Sequence, residues 1–157
     1  MKSSDILPSE YPRKLVQKAD VTTSPDYGCP PAERPIREYI EMGIVNLDKP
    51  QGPTSHEVTA WVKDILELNR AGHSGSLDPG VTGVQPIMLG KATKAVSALR
   101  LSGKEYICLM RLHDPVPEKR VCSMCRQFTG PIFQMPPIVS AVKREVRVRM
   151  IYYLEVI

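Results

Sequence analysis

One carboxylate stands in a glycine-rich segment that could present it to a ligand. Asp78 lies within residues 72–83, GHSGSLDPGVTG, where Gly72 and Gly75 permit sharp bends and close approach of another molecule. Pro79 biases the preceding aspartate toward an extended backbone. Such a loop can hold one carboxylate at the floor of a cleft. The alternative is an Asx-type turn in which Asp78 bonds its own backbone, and spacing alone leaves both roles open.

The elements before this segment are the ones that would position it. Residues 44–47 are typical of a short buried strand, and residues 48–53 of a turn. Thr54 and Glu57 have the spacing of a capping box, which predicts that a helix begins there. The apolar residues that follow at helical spacing are Val58, Trp61, Val62, Ile65 and Leu66. Residues 72–90 are interpreted as one long loop, of a kind that is often functional.

The remaining sequence predicts two more helices and two strands. A second helix carries Ala92 and Leu99 on its apolar face, residues 104–112 form a strand, and a third helix begins at Pro117. Residues 131–144 are interpreted as a basic loop and residues 145–157 as a strand. Because an apolar strand edge invites aggregation, we expect the chain to be a fragment, or a missing segment to pair there.

Bulk composition restricts the protein class only broadly. The chain has 157 residues, 42% of them hydrophobic and 24% charged, which is compatible with one domain. A net charge of +4 permits a polyanionic partner without requiring one. No apolar run reaches the roughly 18 residues of a membrane helix, and the N-terminus lacks a signal-peptide stretch. We therefore expect a soluble intracellular protein with no membrane partner.

The four cysteines are expected to be reduced thiols, because they are few and irregularly spaced. Cys122 and Cys125 form a single CxxC pair, whereas a structural zinc site needs four ligands. Cys125 also falls on the apolar stripe of the third helix, which favours core packing. We expect no metal site, and the alternative is a small zinc-binding protein.

Residues 1–42 differ from the rest because prolines and polar residues dominate them. They are interpreted as a largely irregular N-terminal extension, with a short helix around residues 34–42. This extension is either a mobile leader or an arm that lies along another domain or partner. The compact part is expected to span residues 43–157.

Residues 72–83 resemble the catalytic loop of the TruB-like RNA pseudouridine synthases, and within that family the dyskerin-type enzymes that work with H/ACA guide RNAs. The likeness extends over residues 26–157, with the motifs in the family's order. Besides the catalytic loop, the similar segments are 27–35, which is most like archaeal members, 43–63, 102–106, 134–137 and 140–144. The resemblance implies an α+β fold, with a mixed sheet flanked by helices, that forms the first half of the catalytic domain.

The resemblance also implies the reaction. Asp78 would be the nucleophile that attacks the target uridine, at the uracil ring or at the ribose anomeric carbon, so that the base detaches, turns and rejoins through carbon. This isomerisation needs no cofactor. Because a stacked uridine is inaccessible, the base must be flipped out or presented unpaired.

Several residues are candidates for RNA contact. The resemblance implies that Tyr106 stacks under the flipped base, and the alternative is a core tyrosine. His73 structures the loop or contacts RNA. The basic residues Lys49, Lys143 and Arg144 are candidates for phosphate contact, as are Arg147 and Arg149 on one face of a strand. The alternative for the basic residues is an ordinary solvated face.

The sequence departs from the family at three positions and in length. Ser76 replaces the usual threonine, Gln85 a usual apolar residue, and Met135 a common arginine. The second half of the catalytic domain, with its Tyr-Ile-Arg motif, and the C-terminal PUA domain are absent, so this chain alone is expected to be inactive and poorly stable.

The function implied is formation of pseudouridine in rRNA or tRNA, at the T-loop uridine, at guide-directed sites, or at both. The expected partners are RNA, including an H/ACA guide RNA, and small H/ACA particle proteins. The expected location is the cytoplasm for an archaeal-like protein and the nucleolus for a eukaryotic one. The alternative is a non-catalytic, truncated component of an H/ACA-type particle.

Overall fold

The structure, a computed structural model, describes residues 10–12, 14–22, 24, 26–100, 102–136, 138 and 143–157. These residues fall into two compact units, one within Arg13–Ser102 and the other within Gly103–Ile157 and Met1–Pro12. The four α-helices of the described residues are α1 Ile36–Glu41, α2 Ser55–Ile65, α3 Val96–Leu99 and α4 Glu118–Gln127. The strands are β1 Ile44–Lys49, β2 Ala71–His73, β3 Gly83–Leu89, β4 Gly130–Gln134 and β5 Arg147–Ile151.

The α+β class is confirmed, but the predicted mixed sheet is wrong for the described residues. In the Arg13–Ser102 unit the strand order is β1-β3-β2, and both pairs are antiparallel. The connection through α2 gives β1 and β2 the same direction. Because β3 inserts between them, every direct pairing becomes antiparallel.

Residues 83–89 form the central strand β3, although their glycine and proline content predicted a loop. Ile87, Met88 and Leu89 are its buried residues, so β3 supplies most of the core. Pro86 lacks a backbone donor, but β2 ends opposite Ile87 and leaves one side of β3 unpaired there. Only residues 74–82 of the predicted long loop lack regular structure.

Helix α2 begins as the sequence predicted. The Thr54 backbone N–H donates to Glu57 Oε2 at 2.7 Å, and the Glu57 N–H donates to Thr54 Oγ1 at 3.2 Å. The predicted apolar face is only partly covered, because Val58 is buried while Trp61 and Ile65 are exposed.

Helix α1, which matches the predicted short helix, is tied to the C-terminal end of α2. The Arg37 guanidinium donates to Leu66 O at 3.0 Å and also to Glu67 O, so it satisfies carbonyls that the helix leaves unpaired. Glu67 has a φ of 50°, a conformation that glycine normally supplies at this position. The predicted second helix begins as a 3-10 segment, Gly90–Ala95, and continues as α3.

In the Gly103–Ile157 unit, β4 and β5 pair antiparallel with each other. Helix α4 confirms the third predicted helix. The predicted strand at residues 104–112 is wrong, because the structure assigns no strand to this segment. Two further corrections are that β4 lies where a loop was predicted, and that β5 ends at Ile151.

Segment 104–112 contacts the other end of the same unit. The Glu105 side chain hydrogen-bonds Tyr153 and raises the pKa of that phenol. In the described part of the chain, no helix has the length and apolar character needed to cross a membrane.

Candidate functional site

Asp78 lies exposed in the loop of residues 74–82. Its backbone carbonyl accepts a hydrogen bond from Val81 N at 3.0 Å. Its carboxylate makes no hydrogen bond or ion pair within the described ranges, so the Asx-turn alternative is not adopted. Burial under apolar residues would have excluded a nucleophilic role, and the side chain is not buried.

The backbone around Asp78 is held at three points. Ser55 Oγ accepts a hydrogen bond from Leu77 N at 2.8 Å and donates one to Leu77 O at 3.1 Å. Gly52 N donates to Pro79 O at 2.8 Å. Lys49 Nζ donates to Val81 O at 3.0 Å. The exposed carboxylate is therefore carried on a backbone fixed on both sides.

Lys49 is not a phosphate contact, which corrects the sequence-based prediction. Its side chain is 0% exposed, and Nζ donates to Pro50 O at 2.9 Å as well as to Val81 O. The reason is its place at the end of β1, where the side chain turns inward under the loop. An ammonium group buried in this way is satisfied by protein carbonyls and is not available to RNA.

Sequence reasoning missed the polar cluster beneath the loop. Ser55, Thr59 and Gln85 are all buried. Thr59 Oγ1 donates to Ser55 O at 2.7 Å, and Gln85 Nε2 donates to the same carbonyl at 3.2 Å. The only signal in the sequence was Gln85 itself, a polar residue where the family usually has an apolar one.

His73 is half-buried at the start of the loop. Its Nδ1 lies 2.9 Å from Gly75 O, which requires the proton on Nδ1. Burial lowers the pKa of His73 below its ordinary value of 6.5; the Gly75 hydrogen bond opposes this, and the charge of His56 adds to it. A neutral ring then leaves Nε2 as an acceptor.

His73 and His56 line a shallow groove between α2 and β2. Their ring centroids are 4.9 Å apart in an edge-to-face arrangement. The groove has a volume of about 440 Å³. It is lined by His56, Thr59, Ala60, Lys63, Ala71, Gly72 and His73.

The other candidate RNA contacts belong to the Gly103–Ile157 unit. Tyr106 and Arg144 are exposed. Lys143 Nζ lies 3.3 Å from Glu145 Oε2, and Arg147 is 2.9 Å from Glu145 Oε1. These basic side chains are therefore near the surface, with one acidic neighbour between them. Residues 139–142 of the predicted basic loop lie outside the described residues.

Among the residues that the structure describes, no group of three or more His, Cys, Asp or Glu side chains could hold a metal ion. Cys122 and Cys125 are half-buried free thiols on α4.

Two family models match the chain in succession. Residues 6–59 match the DKCLD (NUC011) domain, and residues 63–120 match the N-terminal domain of the TruB family of pseudouridylate synthases. The protein named probable tRNA pseudouridine synthase B of Methanosarcina mazei is 65% identical over 157 residues, which are 100% of this chain and 46% of that protein. The protein of the same name from Pyrococcus furiosus is 52% identical over 153 residues, which are 97% of this chain and 45% of that protein.

Two solved structures are similar to this chain over nearly its whole length. A chain of a Cbf5-Nop10-Gar1 complex superposes with a TM-score of 0.84 at 51% identity, covering 98% of this chain and 48% of its own. A chain of an H/ACA RNP bound to a substrate RNA containing 2'-deoxyuridine superposes with a TM-score of 0.79 at 47% identity, covering 96% and 46%. The present chain thus spans slightly less than half the length of these relatives.

Proposed function

This chain belongs to the TruB-like family of RNA pseudouridine synthases, in its dyskerin-type branch, and we propose that it carries the nucleophile of a uridine-to-pseudouridine isomerase. The observation that carries the proposal is the exposed Asp78 carboxylate on a backbone held at three points. Pre-organisation of this kind lowers the entropic cost of bringing a nucleophile to its target.

The reaction conserves all heavy atoms of the nucleotide. The bond between uracil N1 and the ribose anomeric carbon breaks, and a bond from uracil C5 to that carbon forms. C5 loses a proton and N1 gains one, so no oxidant or energy source is consumed. The Asp78 carboxylate attacks either the ring or the anomeric carbon and is released at the end.

Four other residues are assigned to RNA contact under this proposal. His73 presents an acceptor nitrogen to the groove beside the loop, which suits an N–H or O–H group of the nucleotide. Tyr106 is the stacking surface for the flipped base. Lys143 and Arg144 are exposed cations suited to phosphate contact.

The substrates that we propose are tRNA, at the T-loop uridine, and rRNA at sites selected by an H/ACA guide RNA. Support comes from relatives named for tRNA and from similar chains within H/ACA complexes. Small proteins of the kind named in those complexes, Nop10 and Gar1, are the proposed partners. Residues 43–157 are the proposed N-terminal part of the catalytic domain, and residues 1–42 an extension. The proposed location is the cytoplasm, because residues 27–35 are most like archaeal members and an archaeal cell has no nucleus.

The test uses a chimera in which this chain replaces the matching segment of the Methanosarcina mazei relative. Its RNA substrate is a T-loop stem-loop with tritium at uracil C5, because forming the carbon–carbon bond releases that label. A second arm supplies a guide RNA with Nop10 and Gar1 proteins. The chimera is expected to release tritium in at least one arm, and the 157-residue chain alone in neither.

The decisive variant is Asp78→Asn, which removes the nucleophile but keeps the shape of the side chain. It is expected to abolish release while RNA affinity stays within about twofold. Asp114→Asn, a matched change at an exposed aspartate of the other unit, is expected to retain activity. Unreduced release by Asp78→Asn would refute the proposal, and an inactive chimera that still binds RNA would favour the non-catalytic alternative.

A further inference from the structure

The backbone next to Asp78 is fixed by a side chain that sequence motifs did not single out. Ser55 is 2% exposed, and its hydroxyl uses both of its hydrogen-bonding roles on one residue. It accepts from Leu77 N and donates to Leu77 O, at 2.8 and 3.1 Å. Two hydrogen bonds to the backbone of Leu77 restrict both of its dihedral angles. They therefore also set the direction of the chain from Leu77 to Asp78.

Ser55 is itself tied to the central strand. Gln85 on β3 reaches across to α2 and donates to Ser55 O at 3.2 Å. The Gln85 side chain is 1% exposed, and within the described residues its Oε1 has no hydrogen-bond partner. An unsatisfied buried acceptor costs about 1–3 kcal/mol, more than a single neutral hydrogen bond usually returns. Stability alone therefore does not account for a glutamine at this position.

We propose that Ser55 is a positioning residue for Asp78, and that Gln85 fixes the position of Ser55 relative to the loop. The inference rests on the proposed function and adds two residues to it. Neither side chain touches the nucleotide. Gln85 anchors the first turn of α2 to β3, and Ser55 passes that constraint to Leu77 and so to the nucleophile.

The expected kinetic effect follows from what the two residues do. Losing them leaves the carboxylate and the RNA-contact residues in place but lets the nucleophile deviate from its attack position. A misplacement of about 1 Å can cost on the order of 100-fold in rate. Such a change lowers kcat and leaves KM unchanged, because binding of the RNA is not affected.

The test compares three variants in the chimera described above, with the T-loop RNA. Ser55→Ala is expected to lower kcat by about 10- to 100-fold, with KM within about twofold of the parent. Gln85→Leu keeps the side-chain volume but removes both the hydrogen bond and the orphaned oxygen. It is expected to lower kcat severalfold without lowering Tm. Thr93→Val is the matched control, since it removes a side-chain hydrogen bond to a backbone carbonyl, that of Gly90, which follows the end of β3 opposite the loop, and it is expected to leave kcat unchanged.

A double-mutant cycle tests whether Gln85 acts on Asp78 through Ser55 or independently of it. In the Ser55→Ala background, Gln85→Leu is expected to have no further effect on kcat. Unchanged kcat in Gln85→Leu, or a loss that equals that of Thr93→Val, would overturn the role of Gln85. A rise in KM equal to the loss in kcat/KM would overturn positioning for either residue. If Ser55→Ala does not fold, the comparison of Gln85→Leu with Thr93→Val decides.

Hydrogen exchange on the chimera, measured without RNA, tests the geometry independently of activity. The Leu77 amide is expected to be protected in the parent and in Asp78→Asn, and unprotected in Ser55→Ala. An unprotected Leu77 amide in the parent would refute the inference even if the chimera is active. An inactive chimera with a protected Leu77 amide would instead refute the proposed function alone.

Discussion

Replacing Lys49 with methionine separates two roles of a lysine that sequence reasoning assigned to RNA. If Lys49 contacted phosphate, its loss would weaken RNA binding and leave stability unchanged. In the structure its ammonium group is fully buried and donates to Pro50 O and Val81 O. Its loss is therefore expected to destabilise the Arg13–Ser102 unit and to remove the hydrogen bond that holds Val81, on the C-terminal side of Asp78.

The magnitude follows from the groups that the substitution leaves unpaired. Each of the two carbonyls loses a charged donor, and an unsatisfied buried polar group costs about 1–3 kcal/mol. Methionine offsets part of this loss, because the site no longer buries a charge and the thioether packs in the same space. The expected net decrease in the free energy of unfolding is about 2–3 kcal/mol.

Urea denaturation followed by tryptophan fluorescence measures this decrease. Trp61 is the single tryptophan of the chain and lies on α2, so its emission reports the unit that contains Lys49. With a slope of about 2 kcal/mol per molar urea, the midpoint should fall by about 1–1.5 M. Lys63→Met is the matched control, since that lysine is partly exposed and its ammonium group lies 3.2 Å from the exposed Asp64 carboxylate. Its midpoint should move by less than about 0.3 M.

The salt dependence of RNA binding provides the second readout. Removing one phosphate contact to a single strand lowers the slope of log affinity against log salt by about 0.7. Lys49→Met is expected to leave this slope unchanged. An unchanged urea midpoint together with a reduced salt slope would refute the interpretation that Lys49 is buried and stabilises the loop. That result would favour the phosphate contact instead.

Three further predictions follow from the same structure. Hydrogen bonds from Thr54 hold the pKa of Glu57 below its ordinary value of 4.5, and the bond from the Thr54 backbone contributes more than the bond from its side chain. Glu57 therefore stabilises the fold above that value and loses this contribution as pH falls through the lowered pKa. A Glu57→Gln variant should have a flatter urea midpoint between about pH 6 and pH 3, and an equally steep fall would contradict this. Glu67→Gly should raise the free energy of unfolding by about 0.5–1 kcal/mol, since glycine adopts its positive φ without strain, whereas a lower urea midpoint would exclude strain at this residue. Lys143→Met should reduce the salt slope of RNA binding by about 0.7 with little change in stability, and an unaltered slope would remove Lys143 from the RNA interface.

Local signals in the sequence were enough to predict where helices α2 and α4 begin. The Thr54–Glu57 capping box begins α2, and Pro117 immediately precedes α4. These patterns act over one helical turn, so no distant residue is needed to interpret them. The glycine-rich segment around Asp78 was also recognisable, because a loop that exposes one carboxylate is encoded by consecutive residues.

The strands were predicted less well, because a strand depends on its partners. Residues 83–89 have a glycine and a proline yet lie at the centre of a sheet, between β1 and β2. Residues 104–112 have the composition of a strand, but the structure assigns no strand to them. Pairing is set by chain segments far apart in sequence, which local composition does not encode.

The sequence by itself determined the family and the helix that precedes the Asp78 loop, and it predicted Asp78 as the nucleophile. Only the tertiary structure decided which polar side chains face inward. Lys49 was predicted to face RNA but is buried under the loop, and Ser55 and Gln85 meet beneath Leu77 although 30 residues separate them. The physical reason is that the burial of a side chain depends on what packs over it, whereas the ability of a residue to react depends first on its own chemistry.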